Sequence, residues 1–155
     1  MKLRVVALGQ RMPAWIDAGW NEYARRMPRD FPLELVALKA EPRDRGRTAA
    51  QMLAAEALRI RAACSDARTI ALDERGQPWT TRNLADSLSR WRDEGCDIAF
   101  VIGSADGLDP SVKREASAIV ALSALTLPHG LVRVLVAEQL YRAASLLARH
   151  PYHRE

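Results

Sequence analysis

Four short apolar runs, LRVVALG (3–9), LELVALK (33–39), RTIALD (68–73) and DIAFVIG (97–103), punctuate the first two thirds of the chain. Each is strand-like in length and rich in Val, Ile, Leu and Ala. The last is almost continuously apolar, the pattern of a parallel strand buried on both faces. Between them the apolar period lengthens to that of a helix. Ile16, Trp20, Tyr23 and Met27 fall on one helical face, with Pro13 placed to open that helix and Pro28 to end it. Thr48 with Gln51 matches a capping box ahead of a periodic stretch to Ala63. A third helix is predicted after Thr80 or Thr81, with Leu84, Leu88 and Trp91 on its apolar face and Gly95 as its stop. Strands alternating with helices predict an α/β domain with a mainly parallel sheet.

The remaining third continues the alternation. Asp109-Pro110 reads as an N-cap followed by proline at the first helical position. Ala118 to Ala121 predict a short fifth strand, and Leu131 to Arg149 a long final helix. That helix has a narrow polar stripe at Glu138, Arg142, Ser145 and Arg149. Apart from Arg133 and Gln139, the rest of its circumference is nearly all apolar. A helix apolar over most of its girth is buried on more than one side, and in so small a domain this predicts a subunit interface.

The chain has 155 residues, which predicts one domain with a substantial core. No apolar run is long enough to span a bilayer, and MKLRVVALGQ reads as a strand and not as a cleavable leader. The expectation is a cytoplasmic protein. Cys64 and Cys96 lie in no metal-ligand spacing and read as packing residues. The charge changes the picture more. Of 23 cationic residues only Lys2, Lys39 and Lys113 are lysine, and the net charge is +4. Arginine presents a planar fork suited to phosphate, so this bias points to a polyanion such as nucleic acid, or to solvated helix faces.

Ligands of open α/β sheets bind beyond the carboxyl ends of the strands. Three such ends carry unusual continuations: Leu72-Asp73 into ERGQPW, Ile102-Gly103 into SADGLDP, and the fifth strand into LSALTLPHG (122–130). The glycines of IGSADG permit a close backbone approach to a ligand, yet the spacing is neither G-x-G-x-x-G nor a Walker motif, which disfavours phosphate-cradling nucleotide sites. LSALTLPHG is too apolar to lie freely in water. It reads either as a buried turn or as the wall of a pocket for a flat apolar ring such as adenine. The chain closes on HPYHRE (150–155), dense in functional groups where chains usually fray. Its His150 and His153 make half of a ligand set with no cysteine or carboxylate cluster at ligand spacing beside it, so no metal is expected.

IGSADGL (102–108), LSALTLPHGLVRVLVAEQLYRA (122–143) and HPYHRE together resemble the ribosomal RNA large-subunit methyltransferase H family, small SPOUT-class enzymes. The likeness extends to KLRVVALG, MPAWIDAGWNEYARR and LDERGQPW. It implies an α/β fold with a trefoil knot near the C-terminus, S-adenosylmethionine as cofactor, and a homodimer. The implied reaction is methylation of N3 of a pseudouridine in a 23S ribosomal RNA stem-loop on the assembled ribosome. The cofactor site falls on Leu72, Gly103, Leu122, Ser123, Ala124, Leu125, Thr126 and Leu127. The chain departs from the family at Ser104, Ala105 and Asp106, where IGGPEG is frequent, and at Gly130, where proline is frequent.

N3 of pseudouridine carries a proton that must leave during transfer, and charge builds on the flanking carbonyls. In a two-fold dimer the tail of one subunit can reach the other's pocket. Tyr152, His153 and Arg154 are the expected contributors: Tyr152 stacking on or hydrogen-bonding the base, His153 accepting the proton, Arg154 holding phosphate or a carbonyl oxygen. His129, beside the cofactor loop, is a rival base or a structural imidazole. Arg43, Arg45 and Arg47 in KAEPRDRGR are available to rRNA phosphates, or line a solvated loop. A non-catalytic ribosome-associated RNA-binding dimer and a related methyltransferase acting on tRNA are the alternatives.

Overall fold

In the computed structural model, residues 1–43 and 46–153 are described, the side chain of His153 excepted. The elements run β1 (Leu3–Leu8), α1 (Ala14–Ala24), β2 (Leu33–Leu38), α2 (Ala49–Cys64), β3 (Arg68–Pro78), α3 (Thr81–Asp93), β4 (Ile98–Ile102), α4 (Pro110–Glu115), β5 (Ala118–Ala121) and α5 (His129–Leu147). A single 3-10 turn, Pro151–His153, follows. The five strands form one sheet in the order β2-β1-β4-β3-β5, every pairing parallel. The α/β class and the parallel sheet expected from the sequence are therefore present. All five carboxyl ends lie along one edge.

Alternation along the strands builds a three-layer core. Leu3, Val5, Ala7, Ile98, Phe100 and Ile102 face α1, α3 and α5. Val6, Leu8, Ala99 and Val101 face the other way, onto Ala57, Ile60 and Cys64 of α2 and Val112 of α4. β4 is buried at every position, as its unbroken apolar run requires. Thr48 caps α2 and Thr80 caps α3, each in a reciprocal capping box with the residue three positions on. Asp109 caps α4 ahead of Pro110. Among the described residues no helix is long and apolar enough to cross a membrane.

Two elements differ from the sequence expectation. β3 does not end at Asp73: it loops out and returns, so that Leu72 and Gln77 both pair with Val120. Gly76 permits the return, since a Cβ there would lie 2.7 Å from the Val120 backbone nitrogen. The α5 helix starts two residues early, at His129, and no residue from 129 to 147 is fully exposed even in the single chain. Packing by α1, α3 and the terminal turn thus accounts for much of its apolar girth. Its interruption Arg133 is not a solvent group but the largest fully buried side chain, 1% exposed.

Candidate functional site

The ends of β3, β4 and β5 open into a cavity of about 560 Å³. Leu72, Ile102, Leu122 and Leu127 give it apolar walls, and Ser123, Leu125, Thr126, Gly103, His129 and Val132 complete them. Seven of the eight residues expected at the cofactor site therefore converge; Ala124 is exposed and not part of the lining. The outlooped turn of β3 adds Asp73, Glu74 and Arg75, and α4 adds Lys113. Sequence reasoning stopped at Leu72; the signal for the rest was the abrupt change from RTIAL to DERG.

Hydrogen bonds tie this rim together. Lys113 Nζ donates to Asp73 Oδ2 at 3.0 Å and the Arg75 amide to Asp73 Oδ1 at 2.9 Å. Burial pushes the Asp73 carboxyl up, but these donors prevail and hold it below its ordinary value. Thr126 Oγ1 donates to Glu74 Oε2 at 3.1 Å, linking the outlooped turn to loop 122–128. Within that loop the Leu125 amide donates to Ser123 Oγ at 2.9 Å.

The glycine loop is folded hard against its own strand. A Cβ on Gly103 would lie 2.4 Å from the Gly107 carbonyl oxygen, so only glycine fits. Gly107 has φ +87°, closing a turn in which its amide donates to the Ser104 carbonyl at 2.9 Å. Two of the departures from the family pattern are held by partners: Ser104 Oγ donates to Glu56 Oε2 at 3.0 Å, and Arg43 donates to Asp106 Oδ2 at 3.1 Å.

His129 lies at the back of the cavity, where Arg133 reaches it from one turn along α5. Arg133 Nη2 donates to the carbonyls of Leu8 (3.0 Å) and Gly9 (2.6 Å) and lies 3.0 Å from His129 Nε2. Burial, then the Arg133 cation, pushes the imidazole below its ordinary value, against the opposing pull of the Gly103 and Leu8 backbone. Burial likewise pushes Arg133 down, with the Asp17 carboxylate opposing. Its Nε is buried without a partner. The sequence showed Arg133 as a lone polar position on an apolar face, and nothing in the pattern marked it as buried.

Tyr152 is not in this cavity. Its ring packs on Tyr141, centroids 4.6 Å apart, with the Arg142 guanidinium 4.9 Å from its centre. Its hydroxyl donates to Glu138 Oε1 at 3.2 Å, and the same oxygen accepts from Arg142 Nε at 2.8 Å. Burial, chiefly, raises the phenol to about 12, so it keeps its proton at neutral pH. The backbone of His153 closes the terminal 3-10 turn, while Arg154 and Arg45 lie outside the described residues. Within one chain, then, the cavity and Tyr152 are separate.

A second cavity, about 430 Å³, lies behind the first, sharing Leu72, Val120 and Leu122 with it. It is walled by Trp79, Phe100, Leu84 and Leu140, and Thr81 Oγ1 donates to Gln139 Oε1 across it at 2.7 Å.

Comparison with known proteins yields one family and one fold. The profile of the family described as "Predicted SPOUT methyltransferase" matches residues 1–153. The chain is 56% identical over 155 residues to a ribosomal RNA large subunit methyltransferase H of Nitrosospira multiformis, covering 99% of each. It is 57% identical, with the same coverage, to the protein of that name from Ralstonia pickettii. Among solved structures, a probable methyltransferase from Bordetella pertussis Tohama I superposes with a TM-score of 0.62 at 20% identity, covering 92% of this chain and 93% of that one. A tRNA methyltransferase from Aquifex aeolicus gives 0.56 at 14% identity, covering 92% of this chain and 70% of its own. At such identities these two likenesses establish the fold alone.

Proposed function

We propose that this chain, which belongs to the SPOUT methyltransferase family, transfers a methyl group from S-adenosylmethionine to N3 of a pseudouridine in 23S ribosomal RNA of the assembled ribosome. The observation that carries the reading is the convergence of the β3, β4 and β5 ends with residues 122–127 in one cavity. A volume of about 560 Å³ suits a ligand of adenosyl size. Leucines at positions 72, 122 and 127 offer apolar contact to an adenine ring, and Asp73, Glu74 and Asp106 give the rim acidic groups matched to a cationic sulfonium and amine. The substrate class follows the names carried by the full-length relatives. The trefoil path of the backbone through the C-terminal third belongs to the same proposal.

The cofactor, when bound, supplies a methyl already activated by its positive sulfur. What this chain must provide is alignment, exclusion of water and management of the N3 proton. Gly103 and the tight turn to Gly107 shape one side of the cavity, and loop 122–128 the other. His129, 3.0 Å from the Arg133 guanidinium and held neutral by burial and by that cation, forms part of the cavity wall. The tail of a second copy completes the site: His153 accepts the N3 proton, Tyr152 contacts the base and Arg154 holds phosphate or a carbonyl oxygen. The separation of Tyr152 from the cavity within one chain supports this dimeric arrangement. Arg43, Arg45 and Arg47 hold rRNA phosphates.

The test is transfer of labelled methyl from S-adenosylmethionine to ribosomes, free large subunits, naked rRNA and tRNA, with the label mapped to a nucleotide. Label at one pseudouridine on assembled ribosomes is expected. Label confined to tRNA would overturn the substrate, and no label from folded dimeric protein would overturn the enzyme in favour of an RNA-binding dimer.

A further inference from the structure

Glu56 sits on the sheet-facing side of α2, next to the core residues Ala57 and Ile60, and is 4% exposed. A carboxylate so placed is costly unless its oxygens are used. Both are. Oε1 accepts the backbone N–H of Glu41 and Oε2 accepts the hydroxyl of Ser104, each at 3.0 Å. One buried side chain therefore joins the glycine loop of the cavity to the segment that leads into the arginine-bearing stretch 39–47.

The two ends of this bridge are firm. Ser104 follows Gly103, whose close approach to the Gly107 carbonyl leaves the loop no slack at its base. The Glu41 side chain is itself gripped by Arg47 and Arg59 and is 7% exposed. A second tie runs parallel to the first, from Arg43 to Asp106 at 3.1 Å. A ligand that presses on residues 103–108 thus acts on a loop tethered to the core side of α2 by the Glu56 carboxylate.

We propose that Glu56 is a positioning residue for the cofactor cavity, which holds the glycine loop through Ser104 and transmits occupancy of the cavity to the backbone at Glu41. This rests on the reading of that cavity as the methyl donor's site. The consequence is that the arginine-bearing segment and the cofactor loop respond as one unit, so the polyanion-facing surface is set by the state of the pocket.

The demethylated product S-adenosylhomocysteine is the probe, and its affinity is read by calorimetry. Ser104→Ala, which removes a part-buried hydroxyl without touching the core, is expected to weaken binding about fivefold, the order of the net contribution of one ordinary hydrogen bond. Glu56→Ala weakens it by a similar factor, and the double variant by little more than either, because both remove the same hydrogen bond. Glu56→Gln, which keeps an acceptor and adds a donor, is expected to rescue binding to within about threefold. In the wild type, ligand slows amide exchange at Glu41 several-fold, and in Ser104→Ala it does not. Affinity unchanged within about twofold in both alanine variants, additive losses, or ligand-induced protection of Glu41 that persists in Ser104→Ala would each overturn the inference. Wild-type protein that is folded and binds no probe would overturn the cofactor reading itself; unaltered variants of a binding wild type would overturn only the role of Glu56.

Discussion

Arg133 Nη2 lies 3.0 Å from Nε2 of His129. The Nη2 hydrogens are directed at the Leu8 and Gly9 carbonyls, and a fixed cation this close, in a buried site, disfavours a second positive charge on the imidazole. Protonating Nε2 would set two cationic donors against each other in a buried site. This relationship keeps His129 neutral near pH 7 and turns a generic histidine at a helix entry into a wall of the cavity.

A pH dependence follows. Burial and Arg133 hold the folded imidazole below the ordinary value of 6.5, so the unfolded chain binds the extra proton more readily. The contribution to stability is complete above about pH 6.5 and is lost as pH falls toward the lowered folded value. Urea unfolding of the wild type should therefore show a loss that sets in as pH falls below about 6.5, and His129→Asn should lack that component. Parallel curves would show that Arg133 does not hold the ring neutral.

Gly103→Ala tests the loop directly. Its Cβ would meet the Gly107 carbonyl at 2.4 Å, and because the clash is with backbone, the turn itself must move. Overpacking of this kind costs about 1–3 kcal/mol, which unfolding by denaturant will read. S-adenosylhomocysteine affinity is expected to fall at least about tenfold as the cavity wall shifts, a change of about 1.4 kcal/mol in binding. Binding at wild-type strength would place the ligand away from this strand end.

The fold was legible because local signals agreed with one another. Strand runs, both threonine caps and the Asp109-Pro110 start all stand where the patterns put them. The cofactor residues came from the resemblance, and the strand-end rule independently pointed to the same edge. What escaped was long-range. The return of β3 past Gly76 depends on Val120, and the burial of Arg133 depends on carbonyls of Leu8 and Gly9 more than a hundred residues away. Glu56 reads in sequence as one more polar position on a helix, and only the packing of α2 reveals its two acceptors in use.

Tyr152 gives a graded test of how the tail docks. Tyr152→Phe keeps the rings on Tyr141 and beneath Arg142 but loses the bond to Glu138. It should cost about 1 kcal/mol or less. Tyr152→Ala loses the aromatic pair as well, worth about 0.5–1.5 kcal/mol more. Thermal unfolding separates the two. Equal midpoints for both variants would mean that the terminal turn does not dock on α5.

The arginine segment is read through salt. Arg43 and Arg47 spend their charge on Asp106 and Glu41 in the free protein; both guanidinium groups are partly solvated while the Glu41 side chain is buried, so the Arg43 pair is the weaker of the two. Phosphates can replace those partners. Changing Arg43 and Arg47 to glutamine should reduce the slope of log affinity for ribosomes against log salt by about 0.7–0.9 for each phosphate no longer neutralised. An unchanged slope with unchanged affinity would assign these arginines to the solvated loop alone.

The sharpest prediction concerns the tail in trans. Deleting residues 152–155 should abolish methyl transfer while leaving the cavity intact, because Tyr152 packs on Tyr141 of α5 and not in the lining. Gly103→Ala should abolish transfer by the opposite route, with its tail intact. If the tail of one subunit serves the cavity of the other, then a two-fold dimer built from one chain of each kind contains one complete site: the intact cavity of the truncated chain, met by the intact tail of the Gly103→Ala chain. Neither variant alone can form such a site. Unfolding and refolding the two in equal amounts gives heterodimers in about half of the population, each with one working site of two, so activity should return to about a quarter of the wild-type level. If the tail instead folds back onto its own cavity, the heterodimer has no chain carrying both parts, and the mixture stays inactive. Recovery or silence in this one mixing experiment decides whether the active site is shared between subunits.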